Sequence, residues 1–170
     1  MKLYTRKGDK GTTLNYKGER VPKDDPRVIA VSLIDNLQAA LDSVAVSCSE
    51  NKISIIDRVQ DTLWQVAGEI SRAEIGGNVK ASIDEKDILF LESMIDNYSV
   101  KLENFVRFRT EEAVRLNEAR IRTRDIERYL TRFLRENSIR DEVYRYFNRL
   151  SDFLFALGVD ASLDNLRKNK

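Results

Sequence analysis

The chain has no histidine, one cysteine and two prolines in 170 residues. Without histidine there is no Ser-His-Asp or Cys-His nucleophile system, no His-bearing zinc site and no Glu-x-x-His di-iron bundle. A lone Cys48 cannot close an internal disulfide and excludes CxxC chemistry, which fits a reducing compartment. No run of about 18 consecutive apolar residues appears, and the opening MKLYTRKGDKG lacks the apolar core of a signal peptide. The expectation is a cytoplasmic protein with no membrane partner. Charge of one sign is lacking too. Lys+Arg (29) and Asp+Glu (28) nearly cancel, which argues against a globally basic nucleic-acid binder.

What remains for chemistry is Arg, Lys, Asp, Glu, hydroxyls and backbone amides, the groups that bind anions and phosphates. With 42% hydrophobic residues the chain is apolar enough to bury a core, and its length suits one domain. The breakers are unevenly placed. Pro22 and Pro26, with Gly8, Gly11 and Gly18, fall in the first 26 residues, and the rest is free of proline. An irregular N-terminal arm (1–25), a helical bundle (26–158) and a short tail (159–170) follow as the expected organisation of one domain spanning 1–170.

Helical periodicity recurs five times. Val31, Ile34, Leu37, Leu41 and Val44 mark the first stretch, and Ile56, Val59, Leu63, Val66 and Ile70 the second, ahead of a Gly76-Gly77 stop. Ser82 and Glu85 read as a capping box for a third, with Ile88, Leu91, Ile95 and Tyr98. Ala113, Leu116, Ala119, Ile126, Leu130 and Phe133 mark the fourth. Val143, Phe147, Leu150, Leu154 and Leu157 mark the fifth, with Gly158 as its expected C-cap and a frayed tail beyond. The fold class is therefore all-α, an up-and-down bundle.

Two places suit anion chemistry. In Thr5-Arg6-Lys7-Gly8-Asp9-Lys10-Gly11-Thr12-Thr13, two glycines three apart allow a tight turn that aims N–H groups at one point, with Lys and Thr donors around it. Residues 1–27 hold eight Lys/Arg against four acids. This is neither a Walker A nor a Rossmann loop, and read alone it is equally a polar turn. On the fourth helix Arg120, Arg124 and Arg128 share one face at i, i+4, i+8, with Glu127 beside them. Asp35 flanks the first helix's apolar stripe, where an Asp–Arg pair would orient a guanidinium toward a phosphate. Read alone, this is also an ordinary solvated face with pairs such as Glu118–Arg122. Asn148 lies beside the fifth stripe, where its amide can meet a ribose or phosphate oxygen.

Taken together, Y-T-R-K-G-D-K-G-T-T-L (4–14), G-E-R-V-P-K-D-D-P-R-V (18–28), I-D-N-L (34–37), A-R-I-R-T-R-D-I-E-R (119–128) and Y-F-N-R-L-S-D-F-L-F (146–155) resemble the PduO-type ATP:cob(I)alamin (corrinoid) adenosyltransferase family over nearly the whole chain. The resemblance implies a ferritin-like, cobalamin adenosyltransferase-like five-helix bundle, assembled as a homotrimer with ATP between subunits. It implies transfer of the 5′-deoxyadenosyl group of ATP to cob(I)alamin with Mg²⁺ present, releasing triphosphate. Thr5, Arg6, Gly8, Asp9, Gly11, Thr12, Thr13 and Lys23 then fall on the ATP-binding arm, and Arg124, Glu127, Arg128 and Asn148 on the rest of the ATP site. Asp35 and Arg120 fall on an intersubunit ion pair near the cobalamin side, and with Arg124 are the expected catalytic set; no protein-held metal is expected.

The chain departs from the family pattern at Asp125, where the family has a second Arg. It departs again at Val106-Arg107-Phe108-Arg109, in place of a Leu-Pro-Gly-Gly turn and one residue shorter. These departures keep open a divergent ATP-binding trimer with weak or no transferase activity, a sensor or carrier. A nucleic-acid-binding bundle is the remote alternative, on the strength of nine arginines between 107 and 135.

Overall fold

The computed structural model describes residues 6–73, 81–98, 106–133, 135 and 139–168. Five helices carry the fold: α1 (Pro26–Ser47), α2 (Glu50–Arg72), α3 (Glu85–Asn97), α4 (Glu111–Phe133) and α5 (Asp141–Lys168). α1 starts where the sequence supplies both a cap and a φ-restricted residue. The Asp25 carboxylate accepts from the Arg27 backbone N–H at 2.9 Å, and Pro26 occupies the first turn, where no N–H is needed.

The predicted stripes become the core, with Ile88 and Leu91 of α3 buried and Val31, Ile95 and Tyr98 half-buried at its edge. Ile34, Leu37, Leu41 and Val44 of α1, Ile56, Val59, Leu63, Val66 and Ile70 of α2, and Ala113, Leu116, Ala119, Ile126, Leu130 and Phe133 of α4 are all buried. So are Val143, Phe147, Leu150, Leu154 and Leu157 of α5. By length and composition alone α1 could cross a membrane. Here it lays its stripe against α2 and α4, as the core helix of a bundle does. α4 packs on both α1 and α5, and α3 packs on α5. Arg115 reaching the Ser43 carbonyl and Tyr129 reaching that of Pro26 make α1 and α4 antiparallel, whereas Glu85–Arg145 and Glu92–Arg149 align α3 with α5. The sense alternates from helix to helix, up and down.

Three local expectations are corrected. The arm is not wholly irregular: β1 (Thr12–Leu14) and β2 (Arg20–Pro22) form an antiparallel ribbon, paired Thr12↔Pro22, Thr13↔Val21 and Leu14↔Arg20. The capping box of α3 is Asp84 with Asp87, not Ser82 with Glu85. Asp84 accepts from Lys86 N at 2.8 Å and Asp87 accepts from Asp84 N at 3.0 Å. Ser82 is instead taken by Glu69, which is buried and accepts from the Ser82 N–H at 2.8 Å, from its hydroxyl, and from Arg140 Nε and Nη2 at 2.9 and 3.0 Å. Burial pushes the Glu69 carboxyl up, but the hydrogen bonds from Arg140 and Ser82 outweigh it and hold the group below its ordinary range.

Nor does Gly158 end α5, which continues to Lys168. A Cβ at Gly158 would sit 3.1 Å from the Phe108 ring and 3.6 Å from Leu116 Cβ. The glycine serves a close helix approach rather than a stop. The Gly76-Gly77 stop lies outside the described residues.

Candidate nucleotide site

The arm folds around two turns. Asn15 Oδ1 accepts from Lys17 N and Glu19 N at 3.0 and 2.9 Å, an Asx turn closed by Gly18 at φ 79°. The Gly8–Gly11 turn is closed by Gly11 N donating to the Gly8 carbonyl at 3.2 Å, with Gly11 at φ 74°. There any side chain would be strained. Gly8 leaves room for the Lys23 side chain, whose Nζ lies 3.5 Å from where a Cβ would stand. Arg20 crosses the ribbon and donates through Nη1 to the Lys7 carbonyl at 2.7 Å and to Thr12 Oγ1 at 2.9 Å.

The result is an open basin of about 470 Å³ lined by Lys7, Gly8, Thr12, Thr13, Leu14, Arg20 and Lys23. Among the described residues three cations and two hydroxyls face it and no carboxylate lines it, which is the chemistry of a polyanion cradle. Among the expected arm residues, Gly8, Thr12, Thr13 and Lys23 line the basin, Gly11 shapes its turn, and Arg6 and Asp9 stand exposed outside it. Thr5 lies outside the described residues. Lys7, read only as a donor beside the glycine turn, and Arg20, not singled out at all, also line the basin. The signal for Arg20 was the ribbon itself, since Asn15 and Gly18 mark a turn that brings Arg20 back over the glycine loop.

On α4 the three arginines differ in what they do. Arg120 is half-buried, donates through Nε to Asn117 Oδ1 at 3.0 Å and lies 5.6 Å from the Phe155 ring centroid. Burial, then the neighbouring Arg124 charge, pull its pKa down, though a guanidinium stays charged. The Arg124 side chain is exposed with no hydrogen bond or ion pair among the described residues, whereas Arg128 is ion-paired with Asp125. Glu127 is buried at 8% exposure, and its Oε1 accepts from Asn148 Nδ2 at 3.0 Å.

The fold thus joins Glu127 to Asn148. Within one chain it does not join Asp35, which is exposed on α1, to Arg120. No α4 residue lines the arm's basin. Among the described residues the two halves meet at their roots, where the Tyr129 hydroxyl donates to the Pro26 carbonyl at 2.9 Å and Asp24 shares a small pocket with Arg132 and Phe133.

The family model for cobalamin adenosyltransferase matches residues 3–161. The chain belongs to this family. It is 37% identical over 163 residues to corrinoid adenosyltransferase PduO of Salmonella typhimurium, covering 92% of this chain and 48% of that protein. It is 36% identical to a corrinoid adenosyltransferase of Citrobacter freundii, covering 92% of each. The chain spans about half the length of the two PduO relatives, from Salmonella typhimurium and Citrobacter freundii. Among solved structures it resembles a single-residue variant of the PduO-type ATP:corrinoid adenosyltransferase from Lactobacillus reuteri complexed with cobalamin and ATP. That likeness has a TM-score of 0.88 at 27% identity and covers 97% of this chain and 96% of that one.

Proposed function

We propose that the chain transfers the 5′-deoxyadenosyl group of ATP to cob(I)alamin, forming adenosylcobalamin and releasing triphosphate. The basin of the arm, cationic among its described residues, on a chain of this family, carries the reading. Cobalt(I) attacks C5′ with its own electron pair, the C5′–O bond breaks with its pair going to the triphosphate, and cobalt ends formally as cobalt(III). The nucleophile comes with the substrate, so the protein needs no activated Ser, Cys or His. Its task is to hold C5′ in line and stabilise the departing charge.

Lys7, Thr12, Thr13, Arg20 and Lys23 would take the triphosphate, with Arg124 and Arg128 brought from elsewhere, and Glu127 and Asn148 holding the rest of the nucleotide. Mg²⁺, when bound, neutralises phosphate charge. Mg²⁺ keeps much of its water and binds phosphate oxygens readily, so it would come to the site with the ATP.

The protein is read as a cytoplasmic homotrimer with ATP between subunits. The separation of basin and arginine face within one chain supports an arrangement in which a neighbouring copy closes the site. Pairing of Arg128 with Asp125, Arg122 with Glu118 and Arg115 with Glu111 speaks against a nucleic-acid surface. The same Asp125–Arg128 pair favours one second reading, an ATP-binding trimer with weak transfer, because it holds a phosphate-facing guanidinium on a carboxylate.

Incubation with ATP, Mg²⁺ and reduced cobalamin tests the proposal. Loss of the cob(I)alamin absorption band should match release of triphosphate one for one. ATP binding with no change in the band supports the second reading, and ATP split to ADP overturns both.

A further inference from the structure

Asn148 is held from two sides by groups with opposite and fixed hydrogen-bonding roles. Its Nδ2 donates to Glu127 Oε1 at 3.0 Å, and its Oδ1 accepts from Arg149 Nη1 at 2.8 Å. Arg149 in turn donates through Nε to Glu92 Oε1 on α3 at 2.7 Å. A guanidinium has no acceptor and a carboxylate has no donor. The amide is therefore locked between an obligatory donor and an obligatory acceptor, and only one of its two orientations satisfies both.

We propose that Arg149, anchored by Glu92, is a positioning residue of the nucleotide site: it fixes which end of the Asn148 amide faces Glu127. This rests on the reading of Glu127 and Asn148 as nucleotide-binding. Without Arg149 the amide can turn over, and its oxygen would then oppose the buried Glu127 carboxylate, whose one hydrogen-bond donor among the described residues is Asn148. The correct orientation leaves Glu127 Oε2, which has no partner among the described residues, to accept an N–H or O–H of the bound ligand. The relay also ties α3 to the site, although α3 contributes no residue to it directly.

Two features separate positioning from support of the fold. The Arg149 and Glu92 side chains are 38% and 37% exposed, and an ion pair this open adds little stability. Arg149 also sets Nε on Glu92 and Nη1 on Asn148, with Asp152 Oδ2 3.7 Å from the same Nη1, a fork that a single lysine ammonium cannot reproduce.

The test is ATP affinity of the full chain by calorimetry, with thermal unfolding alongside, for Arg149→Met, Arg149→Lys, Glu92→Gln, Asn148→Ala and the double variant Asn148→Ala/Arg149→Met. Arg149→Met should weaken ATP binding about 3–10-fold, the worth of one side-chain hydrogen bond. Its Tm should fall by no more than about 4 °C. Arg149→Lys should not restore affinity, and Glu92→Gln should lose less than Arg149→Met. In the Asn148→Ala background the Arg149 change should cost nothing further, because there is no amide left to orient. Additive losses in the double variant, or full rescue by lysine, would overturn the positioning role while leaving Asn148 in the site. Wild-type affinity in Asn148→Ala would overturn the nucleotide reading of this face and the proposal with it.

Discussion

Replacing Glu69 by glutamine keeps its shape and removes one acceptor from a place surrounded by donors. Arg140 Nε points at Oε1, while Arg140 Nη2, Ser82 N and the Ser82 hydroxyl point at Oε2. A glutamine can set its oxygen at the crowded Oε2 position, but its NH₂ then faces Arg140 Nε, donor against donor. Removing one partner of a buried ion pair costs about 3–5 kcal/mol. The Arg140 side chain is 29% exposed and stays partly hydrated, which brings the expected cost to about 2–3 kcal/mol. For a chain of this size that is a fall in Tm of about 4–12 °C.

Acid separates this mechanism from simple packing. The folded-state pKa of Glu69 lies below its ordinary value of 4.5, so its contribution is whole above that value and is lost as pH falls through the depressed one. The glutamine variant has no such titration, and the gap in Tm should shrink below about pH 4.5. Calorimetric melts of both proteins from pH 7 to pH 3.5, at one protomer concentration, measure it. Equal melting at pH 7, or a gap that stays constant into acid, would refute the reasoning.

Arg124→Ala should lower kcat/KM for adenosyl transfer by roughly 10²–10³-fold, the worth of a cationic donor on a leaving oxygen. Arg122→Ala, which breaks only an exposed pair with Glu118, should change it little, and equal losses would make the whole face an ordinary charged surface. Burial, aided by the Glu112 charge, pushes the Cys48 thiol up to about 11. Alkylation at pH 8 should therefore run roughly 10²-fold slower than for a free thiol and rise with pH toward that value, whereas fast labelling at pH 8 would contradict it.

The long helices were legible because 3.6-residue periodicity over many residues averages out local accidents. Every position of the predicted α2 and α4 stripes is buried. The errors fell where one residue decides. Ser82 and Asp84 are both good caps, and the choice between them was made by Glu69, thirteen residues before Ser82 in sequence. Gly158 looked like a stop because its reason for being small is Phe108, on another segment. Strands of three residues, β1 and β2, carry too few positions for alternation to register. In the site, glycine spacing pointed to the basin, but Arg20 enters it only through strand pairing. The amide lock on Asn148 joins three helices and has no local signature.

Leu116 beside Gly158, Glu127 on Asn148, and the Thr131 and Tyr144 hydroxyls at 3.2 Å are three crossings of α4 and α5 in a single unbroken register. Inserting or deleting one residue between the first and last crossing would turn everything beyond it by about 100° and shift it by about 1.5 Å. Glu127 would then face away from Asn148. Changes in chain length are therefore confined to the segments outside these crossings. The stretch before α4, Val106-Arg107-Phe108-Arg109, is such a segment. There the Phe108 ring packs against Gly158 before the helix begins, outside the spacing on which the site depends.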